Sequence, residues 1–231
     1  MMPFMSTDNQ ITCVIPALNA EATLPVTLAS LRGIPVVVAD GGSVDRTKAV
    51  VLDAGQKFET AAKGRGQQLG AGAKVALVDG AQWLLFLHAD TVLEEGWQSE
   101  VEAFISDPAQ ANKAAVFTFK VDDDGAAARR LESLVAWRTR ILALPYGDQG
   151  LLISARLYES LGGYRPLELM EDVDLVRRIG GNRLHVFKAT ALTSANKFKQ
   201  AGYLRRSLRN LSCLGLFFLG LPVRWIARIY G

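Results

Sequence analysis

Cysteine and histidine are scarce in this chain of 231 residues: there are two of each, Cys13, Cys213, His88 and His185. They form no CxxC pair and no Cys/His cluster, which excludes a zinc site of the usual ligand set and a disulfide-stapled scaffold. Any metal must therefore be held by oxygen. Cys13 stands in an apolar run and reads as a small buried thiol, in keeping with a reducing compartment. Long apolar runs are missing too. The uncharged stretch Asn210–Val223 is 14 residues long, short of the ~18 to 20 that a spanning helix needs. Met1–Gln10 has no Lys or Arg and no long apolar segment, so it does not read as a secretory signal, and a cytoplasmic location is expected. Both common phosphate cradles are absent. No G-x-G-x-x-G follows the first apolar run, which argues against a dinucleotide dehydrogenase, and no G-x-x-x-x-G-K-S/T occurs, which argues against a P-loop enzyme.

Acid is missing from one end. All 23 Asp and Glu lie at or before Asp174, whereas 11 of the 26 Lys and Arg lie after it, beneath an overall charge of only +3. A basic segment of that length points to an anionic partner. Leu204, Leu208 and Leu211 recur at helical spacing, Arg205, Arg206 and Arg209 take the other side, and Pro222 can restart a short helix carrying Arg224 and Arg228. This is the pattern of an interfacial anchor on an anionic membrane surface, here the inner face of the cytoplasmic membrane. The competing reading is a helix pair docked on the core or on a second subunit. Nucleic acid is disfavoured, because the basic segment lacks interleaved aromatics.

With 49% hydrophobic and 21% charged residues, the chain can bury one good-sized core and is too short for two ordinary enzyme domains. The expected division is a catalytic domain over 1–198 and a basic amphipathic helical tail over 199–231. Ile11–Ile15, Val36–Ala39, Phe58–Ala61 and Trp83–Leu87 read as strands. Helical patterns follow the first three at Ala22–Leu31, Val44–Ala54 and Gly66–Val78. This βαβ grammar predicts a mainly parallel sheet with helices on both faces. Further on, Val116–Val121, Leu151–Ser154 and Leu184–Phe187 read as strands, and Ala126–Leu144 and Glu171–Ile179 as helices.

In an open parallel sheet, ligands bind beyond the carboxyl ends of the strands. Those ends read Pro16-Ala17-Leu18-Asn19-Ala20-Glu21, Asp40-Gly41-Gly42-Ser43-Val44-Asp45, Lys63-Gly64-Arg65-Gly66 and His88-Ala89-Asp90. Each alone has a structural explanation. Asn19 can cap the first helix, Ser43 or Asp45 the second, and Gly41-Gly42 can be a plain turn. Together, carboxylates Asp40 and Asp90 beside cations Lys63 and Arg65 are what a diphosphate and its divalent metal require.

These motifs, with Glu171-Asp172, resemble a family 2 glycosyltransferase of the GT-A, Rossmann-like type over about Ile11 to Lys197. Leu85–Thr91, Gly147-Asp148-Gln149-Gly150 and Gly162-Gly163-Tyr164 are similar to the bacterial subgroup of radical-SAM/selenodomain-associated transferases. The resemblance implies transfer of a sugar, of hexosyl type, from a nucleotide-diphosphate donor, UDP favoured, to an acceptor hydroxyl with inversion. It places Pro16, Ala17, Leu18, Asn19 and Glu21 around the nucleoside, with Asp40, Gly41 and Ser43 at the base. Lys63 and Arg65 then meet the diphosphate, Asp90 holds Mg²⁺ or Mn²⁺, and Asp172 is the general base. Glu171, Asp148, Gln149 and Gly150 orient the acceptor, which the basic tail suggests is lipid-linked. The sequence departs from the family pattern at His88, where the first Asp of D-x-D is common, and at Gly70, where Asn is common. Alternatives are a sugar nucleotidyltransferase, which wants a glycine-rich loop where Pro16-Ala17-Leu18 stands, and an inactive nucleotide-binding or membrane-associated module. A haloacid-dehalogenase-like phosphatase fails because His88 occupies the nucleophile position.

Overall fold

Unbroken apolar runs in the first half become strands covered on both faces. In the computed structural model, which describes residues 10–195, 198–199 and 202–230, β1 is Ile11–Ala17, α1 Leu24–Ser30, β2 Val36–Asp40, α2 Thr47–Asp53, β3 Lys57–Thr60, α3 Arg65–Val78 and β4 Trp83–Phe86. The four strands pair in parallel in the order β3-β2-β1-β4. Cys13, Ile15, Val38 and Leu85 pack with Leu24 and Leu28 of α1 and Val51 of α2. Val14, Val37, Leu84 and Phe86 point the other way, onto Leu69, Ala73 and Ala76 of α3. Because alternate residues face opposite layers that are both apolar, no polar alternation survives in the sequence. Burial pushes the Cys13 thiol far above its ordinary range, which keeps it inert. The expected absence of a signal at Met1–Gln10 falls almost wholly outside the described residues.

The second half adds β5 (Thr91–Leu93), α4 (Trp97–Ile105), β6 (Ala114–Val121), α5 (Ala126–Leu142), β7 (Leu151–Ser154), α6 (Ala155–Ser160), α7 (Glu171–Ile179) and β8 (Leu184–Thr193). β7 runs antiparallel to both β4 and β6, β8 pairs parallel with β6, and β5 closes the edge, giving the order β3-β2-β1-β4-β7-β6-β8-β5. The result is the mixed, mainly parallel sheet with helices expected of the GT-A type. β5, α4 and α6 are absent from the sequence reading, and β8 extends six residues beyond the expected Leu184–Phe187. The physical reason is distant hydrogen bonding. The Glu100 carboxylate accepts the N–H groups of Lys188 and Ala189, and Glu94 accepts that of Thr190, carrying the strand past a register shift between Val116 and Thr118.

The basic segment forms α8 (Tyr203–Phe218) and α9 (Val223–Tyr230), restarting after Pro222 as expected. Cys213, Leu214 and Ile226 are buried against Leu144, Met170 and Val173, so the helix pair docks on the preceding domain and packing runs across residue 198. Among the described residues, no helix is long and apolar enough to cross a membrane.

Candidate active site

The loops after β1 and β4 and the start of α3 open onto one groove of about 460 Å³. Pro16, Ala17, Leu18 and Asn19 form one wall, Lys63 and Arg65 another, and His88 and Asp90 a third. The first wall is held from behind by the loop after β2. Asn19 N–H donates to Ser43 Oγ at 2.8 Å and Val44 N–H returns to Asn19 Oδ1 at 2.9 Å. Glu21 N–H donates to Asp45 Oδ2 at 3.0 Å, and Arg46 N–H donates to Glu21 Oε2 at 2.8 Å. This reciprocal lacing holds Asn19 at φ +52°, a conformation that Asn tolerates better than most residues. Glu21 and Ser43 thus brace the groove rather than face it.

Asp40 lies behind the groove too. Its buried Oδ2 accepts the N–H groups of Gly42 and Ser43 at 2.9 and 2.8 Å, and Oδ1 accepts the Ser43 hydroxyl. Gln68 lines the groove, and its amide donates to Ala17 O at 2.6 Å and Ala39 O at 3.0 Å. A Cβ on Gly41 would come within 3.0 Å of that amide. The Asp40 carboxylate and the Ser43 hydroxyl are thus engaged within their own turn, and Asp40, Gly41 and Ser43 stand behind the residues that line the groove.

A smaller cavity of about 100 Å³ adjoins the groove, and Arg65, His88 and Asp90 line both. Across it stands Asp172, in the first turn of α7, where the helix dipole favours an anion. Asp172 Oδ2 accepts Gly147 N–H at 2.8 Å, and Oδ1 accepts Val173 N–H at 2.7 Å. Each oxygen keeps one lone pair for a further donor. A Cβ at position 147 would lie 2.7 Å from His88 Nε2, so a larger residue there would require the His88 ring to shift. Arg65, Asp90 and Asp172, far apart in the chain, thus line one cavity, and Asp40 does not.

Residues 12–160 match the family model described as Glycosyl transferase family 2. The chain belongs to that family. No curated protein matches the transferase in sequence. Among solved structures it is similar to S. aureus TarS 1-349, with a TM-score of 0.60 and 16% identity over 96% of this chain and 69% of that one. Against a longer TarS chain, the transferase covers only 42% of the length. It is also similar to glucosyl-3-phosphoglycerate synthase from Mycobacterium tuberculosis in complex with Mg²⁺ and UDP, with a TM-score of 0.60 and 20% identity over 93% of this chain and 80% of that one. These likenesses show the shared fold.

Around Asp172 the transferase gathers further carboxylates in unlike environments. Glu171 is 1% exposed and ion-pairs through Oε1 with Arg65 at 3.3 Å, while its Oε2 is buried with no hydrogen-bond partner. Glu171 thus anchors Arg65 through one of its two carboxylate oxygens. Asp148 lines the cavity, but Gln149 lies behind it, 1% exposed, accepting from Thr139 Oγ1 and donating to Phe117 O. Gly150 is buried beside it. The polar atoms of Gln149 are thus taken up within the protein, whereas Glu171 keeps one buried carboxylate oxygen without a hydrogen-bond partner.

Burial, reinforced by the Asp172 charge and opposed by Arg65, pushes the Glu171 carboxyl up to about 7. Burial likewise pushes Asp148 up to about 6, opposed by Arg138 and Arg65 and reinforced by Asp172 and Asp90. A raised carboxyl pKa means the native state holds a proton that the unfolded chain has released. The stabilising contribution of Glu171 is present in full below its ordinary value of 4.5 and is lost as pH rises to about 7. Glu171→Gln is therefore expected to gain on the order of 1–3 kcal/mol over wild type at pH 8 and nothing at pH 4. Urea unfolding across that range checks this; equal pH slopes in the two proteins would contradict it.

Among the described residues, no three His, Cys, Asp or Glu side chains are placed to hold a metal together. Asp90 and His88, side by side on the shared wall, instead fit an ion that brings most of its own ligands, as Mg²⁺ does when it arrives with substrate phosphates. Gln68, Tyr146, Arg206 and Asn210 also build the site and were not anticipated as parts of it. Arg206, read from its spacing as membrane-facing, lines the cavity and lies over the Phe198 ring at 4.9 Å. Arg138 covers the Tyr146 ring at 3.5 Å. The contacts that assemble them join segments far apart in sequence, as with Gln68 and Ala17 or Arg206 and the loop of Asp148.

Proposed function

We propose that the transferase moves a sugar from a nucleoside diphosphate, UDP by preference, to an acceptor hydroxyl with inversion at the anomeric carbon. The observation that carries this reading is the shared wall. Arg65 and Asp90 border both the strand-end groove and the cavity of Asp172, so a donor in the groove presents its leaving side to the base. The nucleoside lies along Pro16–Asn19, braced by Glu21, Asp40, Gly41 and Ser43, and Lys63 and Arg65 neutralise the diphosphate. Asp90 is the carboxylate that would hold a donor-borne Mg²⁺ or Mn²⁺, an ion that supplies charge neutralisation to the departing diphosphate. Asp172 takes the proton from the acceptor hydroxyl as its oxygen bonds to the anomeric carbon and the bond from that carbon to the diphosphate breaks. Solved structures of similar fold include TarS in complex with UDP-GlcNAc, and glucosyl-3-phosphoglycerate synthase in complex with Mn²⁺, UDP-Glc and phosphoglyceric acid, which favours a uridine donor here.

A thermal-shift panel of UDP, GDP, CDP and dTDP with Mn²⁺ or EDTA tests this reading. UDP is expected to raise the melting temperature most, by mass action equivalent to about 2.7 kcal/mol at one hundred times its Kd. No shift with any nucleotide would overturn it.

The exposed Arg205, Arg224 and Arg228 support association with an anionic membrane surface, a role Arg206 and the half-buried Arg209 do not share. The protein is expected to sediment with anionic vesicles at low salt and to leave them at high salt. Equal binding to neutral vesicles would count against this.

A further inference from the structure

An apolar groove of about 340 Å³ runs between α5 and α8. Phe119 and Val135 form its buried floor. Its rim is Leu134, Trp137, Leu204, Leu208 and Leu211, which are 53–74% exposed. Five large apolar side chains left mostly in water along one trough mark a binding surface. α8 therefore turns its leucine face outward and its Arg206 inward, the reverse of a helix packed for solubility.

The groove does not end blindly. Tyr146, Asp148, Phe198 and Asn210 line both it and the cavity of Asp172. At this junction Asp148 Oδ1 and Asn210 Oδ1 are buried without hydrogen-bond partners. Unpaired buried acceptors cost free energy unless a donor arrives. An apolar trough that narrows to two such acceptors and then to a base has the chemistry of an amphiphile with a hydroxyl-bearing head. Its volume lies within the roughly 300–1,000 Å³ of small-molecule sites.

We propose that this groove is the acceptor subsite and takes an acceptor built on an apolar chain, whose hydroxyl head passes between Asp148 and Asn210 to reach Asp172. The assignment as an acceptor subsite rests on the transferase reading above, whereas affinity for the chain does not.

The probe is 8-bromo-1-octanol, whose bromine quenches nearby indole fluorescence. Trp83 and Trp97 are buried, and Trp225→Phe removes the other exposed indole, leaving Trp137 as reporter. Saturable quenching is expected, lost in Trp137→Phe and weakened at least tenfold by Leu208→Asp. Val78→Asp, at an exposed site outside the groove, is expected to change nothing. Unbrominated alcohols from butanol to octanol are expected to compete with affinity rising roughly fourfold per methylene. Non-saturable quenching, indifference to Leu208→Asp, or no dependence on chain length would overturn the proposal. So would a Leu208→Asp effect confined to vesicle binding, which would make the face a membrane-docking surface. A wild-type dimer that Leu208→Asp dissociates, with octanol competition unchanged, would assign the face to a second copy and overturn it as well. UDP thermal shifts on the same samples separate the two readings. A UDP shift without octanol saturation rejects the groove alone, and octanol saturation without a UDP shift rejects its role as an acceptor subsite.

Discussion

Asp172→Asn is expected to cut sugar transfer, and the slower acceptor-free hydrolysis of the donor, by roughly 10² to 10⁴-fold, the usual worth of a positioned general base. The substitution is close to isosteric. An Asn oxygen can still accept from Gly147 N–H, which now donates to Asp172 Oδ2 at 2.8 Å, so the cavity wall is expected to persist. What disappears is the ability to take a proton. UDP affinity, set on the other side of the shared wall by Lys63 and Arg65, is expected to stay within about twofold of wild type. Labelled UDP-sugar turnover beside UDP calorimetry makes the comparison. Turnover at the wild-type rate would remove Asp172 from the chemistry, and joint loss of turnover and UDP binding would mean that it shapes the groove instead.

Arg65→Ala carries the second large effect, in two parts that can be separated. Arg65 is 43% exposed on the donor side and ion-paired with fully buried Glu171 on the other. Loss of a charge-assisted contact to the diphosphate is expected to weaken UDP roughly 10- to 100-fold, following from about 1.5–3 kcal/mol per such bond. Removing the guanidinium also withdraws the one cation that holds the Glu171 carboxyl down, so that carboxyl moves still higher. The stability loss is therefore expected to be small at pH 5, where Glu171 is protonated in either protein, and to grow toward pH 8. Adding Glu171→Gln is expected to restore stability but not UDP affinity. UDP binding by Arg65→Ala equal to wild type would show that the diphosphate lies elsewhere.

The parts of this molecule that were legible in its sequence are those whose cause is local or two-sided. β1, β2 and β4 announce themselves because burial on both faces leaves runs such as Trp83–Phe86 without polar alternation. The strand-end loops announce themselves because a parallel sheet gathers its carboxyl ends along one edge. β8 stayed hidden past Phe187 because its hydrogen-bond partners, Glu94 and Glu100, sit about 90 residues earlier. The same limit explains Asp40. Spacing places it at a strand end, but only coordinates show its carboxylate taken up by the N–H groups of Gly42 and Ser43. In the basic segment, Leu204, Leu208 and Leu211 were correctly assigned to one helical face. Which face turns toward the protein depends on Phe198 and the junction beneath Arg206, and no periodicity encodes that.

The most direct test of the account is a crystal structure of the protein with UDP and Mn²⁺. The account predicts density for the uridine along Pro16–Asn19 and for the two phosphates between Lys63, Arg65 and Asp90, with Asp172 facing the terminal phosphate across the small cavity. Ordered UDP anywhere else, in the α5–α8 groove for example, would contradict it.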